Sequence, residues 1–187
     1  NVLELFVKYN VPFQFDLLSL DIDSHDFYVL DKILSKYSPR IIVCEYNATH
    51  LPDEDKVVLR NETNFIGNYF GASILAFYNL GRKYKYSLVY SNKKGVNLFF
   101  VRDDILLSSK YTILNVNDVE KIYNTPKYGT GPNGGHTHDP LNRKYISSHI
   151  LLNNKVKLNH YDTNYGLMCC LHNDIVFNSE MSHGKMY

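Results

Sequence analysis

Leu17-Leu-Ser-Leu-Asp21-Ile-Asp23-Ser-His25-Asp26 runs from a short apolar segment straight into three carboxylates and an imidazole within six residues. An apolar run of this length, extended upstream to Phe15, predicts a buried parallel strand with polar groups at its C-terminal tip. Helical spacing follows over 26–37, where Phe27, Leu30, Ile33, Leu34 and Tyr37 share one face, and Ser38-Pro39 stops it. Arg40-Ile-Ile-Val-Cys-Glu-Tyr46 repeats the pattern, a second buried strand ending in an acid. Strand, helix, strand, with acids at both strand tips, sets the class: α/β, with its site at the carboxyl ends of the strands.

The neighbouring segments extend this frame. Residues 2–9 predict the end of an amphipathic helix, stopped by Pro12. Residues 50–66 predict a polar loop. Gly71-Ala-Ser-Ile-Leu-Ala-Phe-Tyr-Asn-Leu80 predicts a helix closed by Gly81. Tyr86–Tyr90 and Val96–Val101 flank Ser91-Asn-Lys-Lys-Gly95 and predict a β-hairpin, which gives the sheet an antiparallel edge. Beyond residue 104 the periodicity weakens. Thr125–Gly135 is breaker-rich and holds four of the ten glycines, and strand-like runs follow at 145–152, 155–160 and 174–177. The expected organisation is an α/β domain over 1–104 and an irregular extension over 105–187 packed on it.

Composition narrows the classes. At 187 residues the chain is one domain, or one domain with a tail, and 44% hydrophobic with 21% charged residues is globular. The formal charge of +1 conceals an acidic first third, in which residues 1–62 carry 11 of the 19 acids and 6 of the 20 bases. That distribution excludes dedicated nucleic-acid binding, which calls for a large, clustered positive charge. No apolar run reaches the ~20 residues of a membrane span. Three cysteines, two of them the adjacent Cys169 and Cys170, suit a reducing compartment rather than a disulfide framework, so a cytoplasmic location is expected. Residue 1 is Asn, which predicts a processed or trimmed product.

Three carboxylates crowded at one strand tip repel one another unless a cation, hydrogen-bond donors or a substrate hydroxyl share them. Asp23 or Asp26 also suits the N-terminus of the following helix as a cap. Three chemistries use such a cluster: sugar-nucleotide transferases that hold a divalent metal on Asp-x-Asp, phosphatases with an aspartyl nucleophile, and methyltransferases with an acid after a central strand. His136-Thr-His138-Asp139, with Cys169, Cys170 and His172, offers further metal-ligand types, at a spacing that matches no zinc pattern.

Four separated motifs choose among these. Asp21-Ile-Asp-Ser-His-Asp-Phe-Tyr-Val-Leu30, Pro39-Arg-Ile-Ile-Val-Cys-Glu-Tyr-Asn47, Tyr69-Phe-Gly-Ala-Ser73 and Gly95-Val-Asn-Leu-Phe-Phe-Val-Arg102 occur in this order over residues 14–104. The series resembles the C-terminal half of FkbM-like, S-adenosylmethionine-dependent methyltransferase domains, with Ser24 and His25 standing where Gly and Asn are expected. The resemblance implies a Rossmann-like, class I methyltransferase sheet and methyl transfer to a sugar or other polyol hydroxyl, so the acceptor is a small molecule or glycan. It implies Asp21, Asp23 and His25 as catalytic residues. Asp21 and Asp23 would orient or deprotonate the acceptor, with a divalent metal between them as an option, and Asp26, Glu45 and Asn47 would line the acceptor crevice.

The family's glycine-rich cofactor loop precedes all four motifs and has no counterpart here, so S-adenosylmethionine is not expected to bind this chain alone. The strand at 16–22 is expected to present an open edge, which predicts an oligomer or a partner chain. Two rival functions follow: a non-catalytic, methyltransferase-like subunit of a larger assembly, and a metal-dependent glycosyltransferase built on Asp21-x-Asp23.

Overall fold

The computed structural model describes residues 1–153. The runs at 155–160 and 174–177, and Cys169, Cys170 and His172, lie outside the described residues. Asn1 caps α1 (Val2–Lys8) by accepting from the Leu3 N–H. β1 (Leu17–Leu20), α2 (Asp26–Leu34) and β2 (Ile41–Glu45) follow, then α3 (Ile74–Lys83) and the hairpin strands β3 (Tyr86–Ser91) and β4 (Asn97–Arg102). Among the described residues three short helices follow: α4 (Asp103–Ser108), α5 (Val119–Ile122) and α6 (Ser148–Asn153).

The strands form an open four-stranded sheet in the order β1-β2-β4-β3. β1 and β2 are parallel, whereas β4 runs antiparallel to both β2 and β3. The architecture is therefore α/β with a mixed sheet, compatible with a Rossmann-like fold. β4 does not lie at the edge: it inserts between β2 and β3, which among the described residues leaves β1 and β3 as the two edges.

Alternation along the strands divides the sheet into two faces. Leu18, Leu20, Ile42, Cys44, Leu98, Phe100 and Leu88 are buried on one of them. α2 covers that face with Phe27, Leu30 and Ile33, and α3 with Phe77 and Leu80; the Phe27 and Phe77 rings lie 5.8 Å apart. Leu17, Ile41 and Tyr90 stand on the other face and are exposed, with Val43, Phe99 and Val101 half-buried between them. Among the described residues no helix is long and apolar enough to cross a membrane.

Three local expectations need correction. Gly81 does not close the helix; α3 continues to Lys83. A Cβ at Gly81 would stand 2.8 Å from Cε1 of the buried Phe100 ring, so the missing side chain serves close helix–sheet packing. The same helix begins at Ile74 rather than Gly71, because Ser73 caps it by accepting from the Ala76 N–H. The run at 145–152 is not a strand. Ile146 makes a single bridge to Val57, and α6 begins two residues later.

Residues 105–153 are fastened to the sheet domain by specific hydrogen bonds. Asn117 Oδ1 accepts from the Leu88 N–H on the edge strand, and the Tyr145 hydroxyl donates to the Asn68 carbonyl. Asp139 is buried and takes three hydrogen bonds from Arg143, whose guanidinium also pairs with Glu62 and lies 4.0 Å over the Tyr69 ring.

Candidate functional site

The Leu20–Cys44 register of the parallel pair sets the next residue of each strand, Asp21 and Glu45, side by side. Past Asp21 the chain must turn from β1 into α2. It does so through Asp23, whose φ of +62° lies in the left-handed region that Asp tolerates better than most residues. Ser24 therefore needs no positive φ. Asp26 fixes the turn: its carboxylate accepts from the N–H groups of Ile22 at 3.0 Å and Ser24 at 3.1 Å. Of the three acids of the opening motif, the buried Asp26 holds the loop that presents the exposed Asp21 and Asp23.

Asp21, Asp23 and Glu45 converge. One carboxylate oxygen from each lies within 4.8 Å of the other two. Burial, above all, and then the charges of Asp21, Asp26 and Asp23 push the Glu45 carboxyl up to about 7. Burial likewise raises Asp26 above its ordinary value, against the pull of its backbone donors. Three hard oxygen donors at this separation suit a cation such as Mg²⁺, Mn²⁺ or Ca²⁺.

The remaining expected residues stand elsewhere. His25 does not join the trio; its ring lies 5.4 Å from Phe65 and 6.1 Å from Tyr28, and its buried Nε2 has no hydrogen-bond partner among the described residues. Asn47 is fully buried. Its Nδ2 donates to the carbonyls of Asn68 and Phe70, and its Oδ1 accepts from the Thr49 N–H, so it braces the loops behind β2 and does not face the crevice. His136 packs against Phe70 and Tyr128, and Asp139 pairs with Arg143, so among the described residues His136-Thr-His138-Asp139 forms no metal-ligating group. Cys44 is buried in the core, where burial pushes its thiol well up and leaves it inert.

Sequence reasoning placed Glu45 in the crevice and missed its capacity to exchange a proton near neutral pH. The signal was available: an acid one register step from Asp21 on a parallel neighbour. The glycine-rich segment 129–135 follows no strand and folds onto itself, the Gly131 and Gly134 N–H groups donating to Gly135 and Gly131. Comparison of the chain with protein-family models, with curated proteins and with solved structures gave no match.

Proposed function

We propose that this chain is the acceptor-side part of an FkbM-like methyltransferase domain, corresponding to the C-terminal half of a class I sheet, which directs a methyl group from S-adenosylmethionine to a hydroxyl of a sugar or other polyol. The observation that carries this reading is the convergence of Asp21, Asp23 and Glu45 from the tips of two parallel strands, where ligands of open α/β sheets bind. Asp21, Asp23 and Glu45 are the residues that would hold a divalent cation. When bound, the cation would favour negative charge on the acceptor oxygen.

The chain's own groups position and deprotonate. Asp21 and Asp23, exposed to solvent, accept hydrogen bonds from an incoming hydroxyl and orient it. Without the cation, Glu45, with its carboxyl near 7, takes the proton at its carboxylate, since a base matched to the working pH transfers protons most effectively. Asp26 keeps the loop in place. Methyl transfer by in-line displacement depends mainly on positioning, so no strong nucleophile is required of the protein.

A second reading, a non-catalytic unit of a larger assembly, is favoured by the glycine segment that closes onto itself. The test has two arms. Calorimetric titration of the chain with Mg²⁺ or Mn²⁺ should give saturable binding that Asp21→Asn removes. In a polypeptide that carries this chain together with a cofactor-binding segment, Asp21→Asn should lower methyl transfer by about 10²-fold or more while leaving the melting temperature unchanged or higher. Full transfer by the Asp21→Asn protein would remove Asp21 from the mechanism. No transfer and no cation binding by the unsubstituted protein would leave the scaffold reading.

A further inference from the structure

Past the tip of β2, residues 48–51 meet the segment 123–134 around a cleft of about 420 Å³, within the range of small-molecule sites. Its walls are built without slack. The Tyr123 hydroxyl donates to the Ala48 carbonyl at 2.8 Å, the Asn124 Nδ2 to the Ser91 carbonyl at 3.1 Å, and the His136 N–H to the Thr49 hydroxyl at 3.1 Å. Gly134 and Gly135 both have positive φ, and a Cβ on either would strike Pro126; at Gly135 it would also stand 2.5 Å from Thr49 Oγ1. The breaker-rich stretch of sequence is thus a close-packed wall. A cleft fixed before its ligand arrives binds with little reorganisation cost.

The lining chemistry selects the ligand. Among the described residues no Asp, Glu, Lys, Arg or His lines the cleft, and the Tyr123 hydroxyl is already engaged, so a phosphate, carboxylate or ammonium group would be desolvated there without a counter-charge. Leu51, Pro126, Pro132 and the Tyr123 ring offer apolar surface. Thr125 and Asn133 add an exposed hydroxyl and an exposed amide, each without a hydrogen-bond partner among the described residues. Apolar C–H faces flanked by neutral donors and acceptors match a pyranose ring with its hydroxyl edge. We propose that this cleft is a binding site for a neutral saccharide unit. The site is distinct from the acidic trio and requires neither a cation nor a methyl donor. Burial, and then the charge of Glu45, pushes the Tyr128 hydroxyl up to about 12.

The test is an NMR titration of the 187-residue chain with maltose, N-acetylglucosamine and methyl mannoside, with inorganic phosphate as the charged comparator. At least one neutral sugar should bind saturably in the millimolar range and perturb the signals of Tyr123, Thr125 and Asn133. Asn133→Ala and Thr125→Val should each weaken it about fivefold, the loss of one hydrogen bond. Lys8→Ala on α1, outside the cleft lining, should leave it unchanged. Both cleft positions are exposed, and unchanged thermal melts will show that the variants fold. Absence of saturable sugar binding, tighter binding of phosphate, indifference to both cleft variants, or shifts confined to Asp21, Asp23 and Glu45 would each overturn the assignment.

Discussion

At the scale of single residues, Glu45 bears the largest consequence. Its carboxyl is raised from 4.5 to about 7 by burial and by three neighbouring acids, so between those values the folded chain binds more protons than the unfolded one. Stability therefore falls as the pH rises through that window, and the penalty is complete above it. His50 acts in the opposite direction. Burial lowers its imidazole to about 4, so it withdraws stability as the pH falls from 6.5. The informative quantity is accordingly the difference between the unsubstituted chain and Glu45→Gln. The variant should melt higher at pH 8, and the gap should shrink towards pH 5. A constant gap across thermal melts at the two pH values would show that Glu45 is not held in its protonated form by the trio.

At the scale of elements, the runs legible in the sequence were those whose period is set by one covered face. β1, α2 and β2 lie where alternation and 3.6-residue spacing place them, because Leu18, Phe27, Leu30 and Ile42 all pack into one core. What stayed hidden was long-range. Gly81 reads locally as a helix stop, and only the Phe100 ring, nineteen positions away, gives it another task. Asn47 reads as a polar group at a strand tip, although loops more than twenty residues downstream take up its amide. Within the site, Asp21, Asp23 and Glu45 were legible as strand-tip acids, whereas the cleft wall at 123–134 reads only as a run of breakers. The α3 case is testable. Gly→Ala inside a helix ordinarily stabilises by ~0.5–1 kcal/mol. Gly81→Ala should instead destabilise by about 1–3 kcal/mol, because the added carbon overpacks a buried ring. Denaturant melts showing a gain in stability would mean that Phe100 yields freely.

At the scale of the whole molecule, the two faces of the sheet divide labour. α2 and α3 bury one face, and the acids rise from the other, on the same side of the pleat as Leu17, Ile41 and Val43. The sheet domain does not complete its own core with residues 1–104. Val57 and Tyr69 are fully buried, yet Val57 is bridged by Ile146, and Tyr69 donates to the Lys144 carbonyl beneath Arg143. His50, also buried, has the Tyr145 ring 4.8 Å away, and Ile122 supplies apolar cover from α5. Cutting the chain after Asp104 would bare these groups together. It would also leave the Leu88 N–H on β3 without Asn117 and strip Asp55 of the Ser147 hydroxyl and the Ser148 N–H. Each lost buried hydrogen bond costs on the order of 1 kcal/mol, and each uncovered large apolar side chain about 1.5–3 kcal/mol, against a typical domain stability of about 5–15 kcal/mol. A 1–104 fragment should therefore show no cooperative thermal transition, whereas the 187-residue chain shows one. Cooperative unfolding of that fragment, with a melting temperature close to that of the full chain, would establish that residues 105–153 decorate the fold rather than complete it.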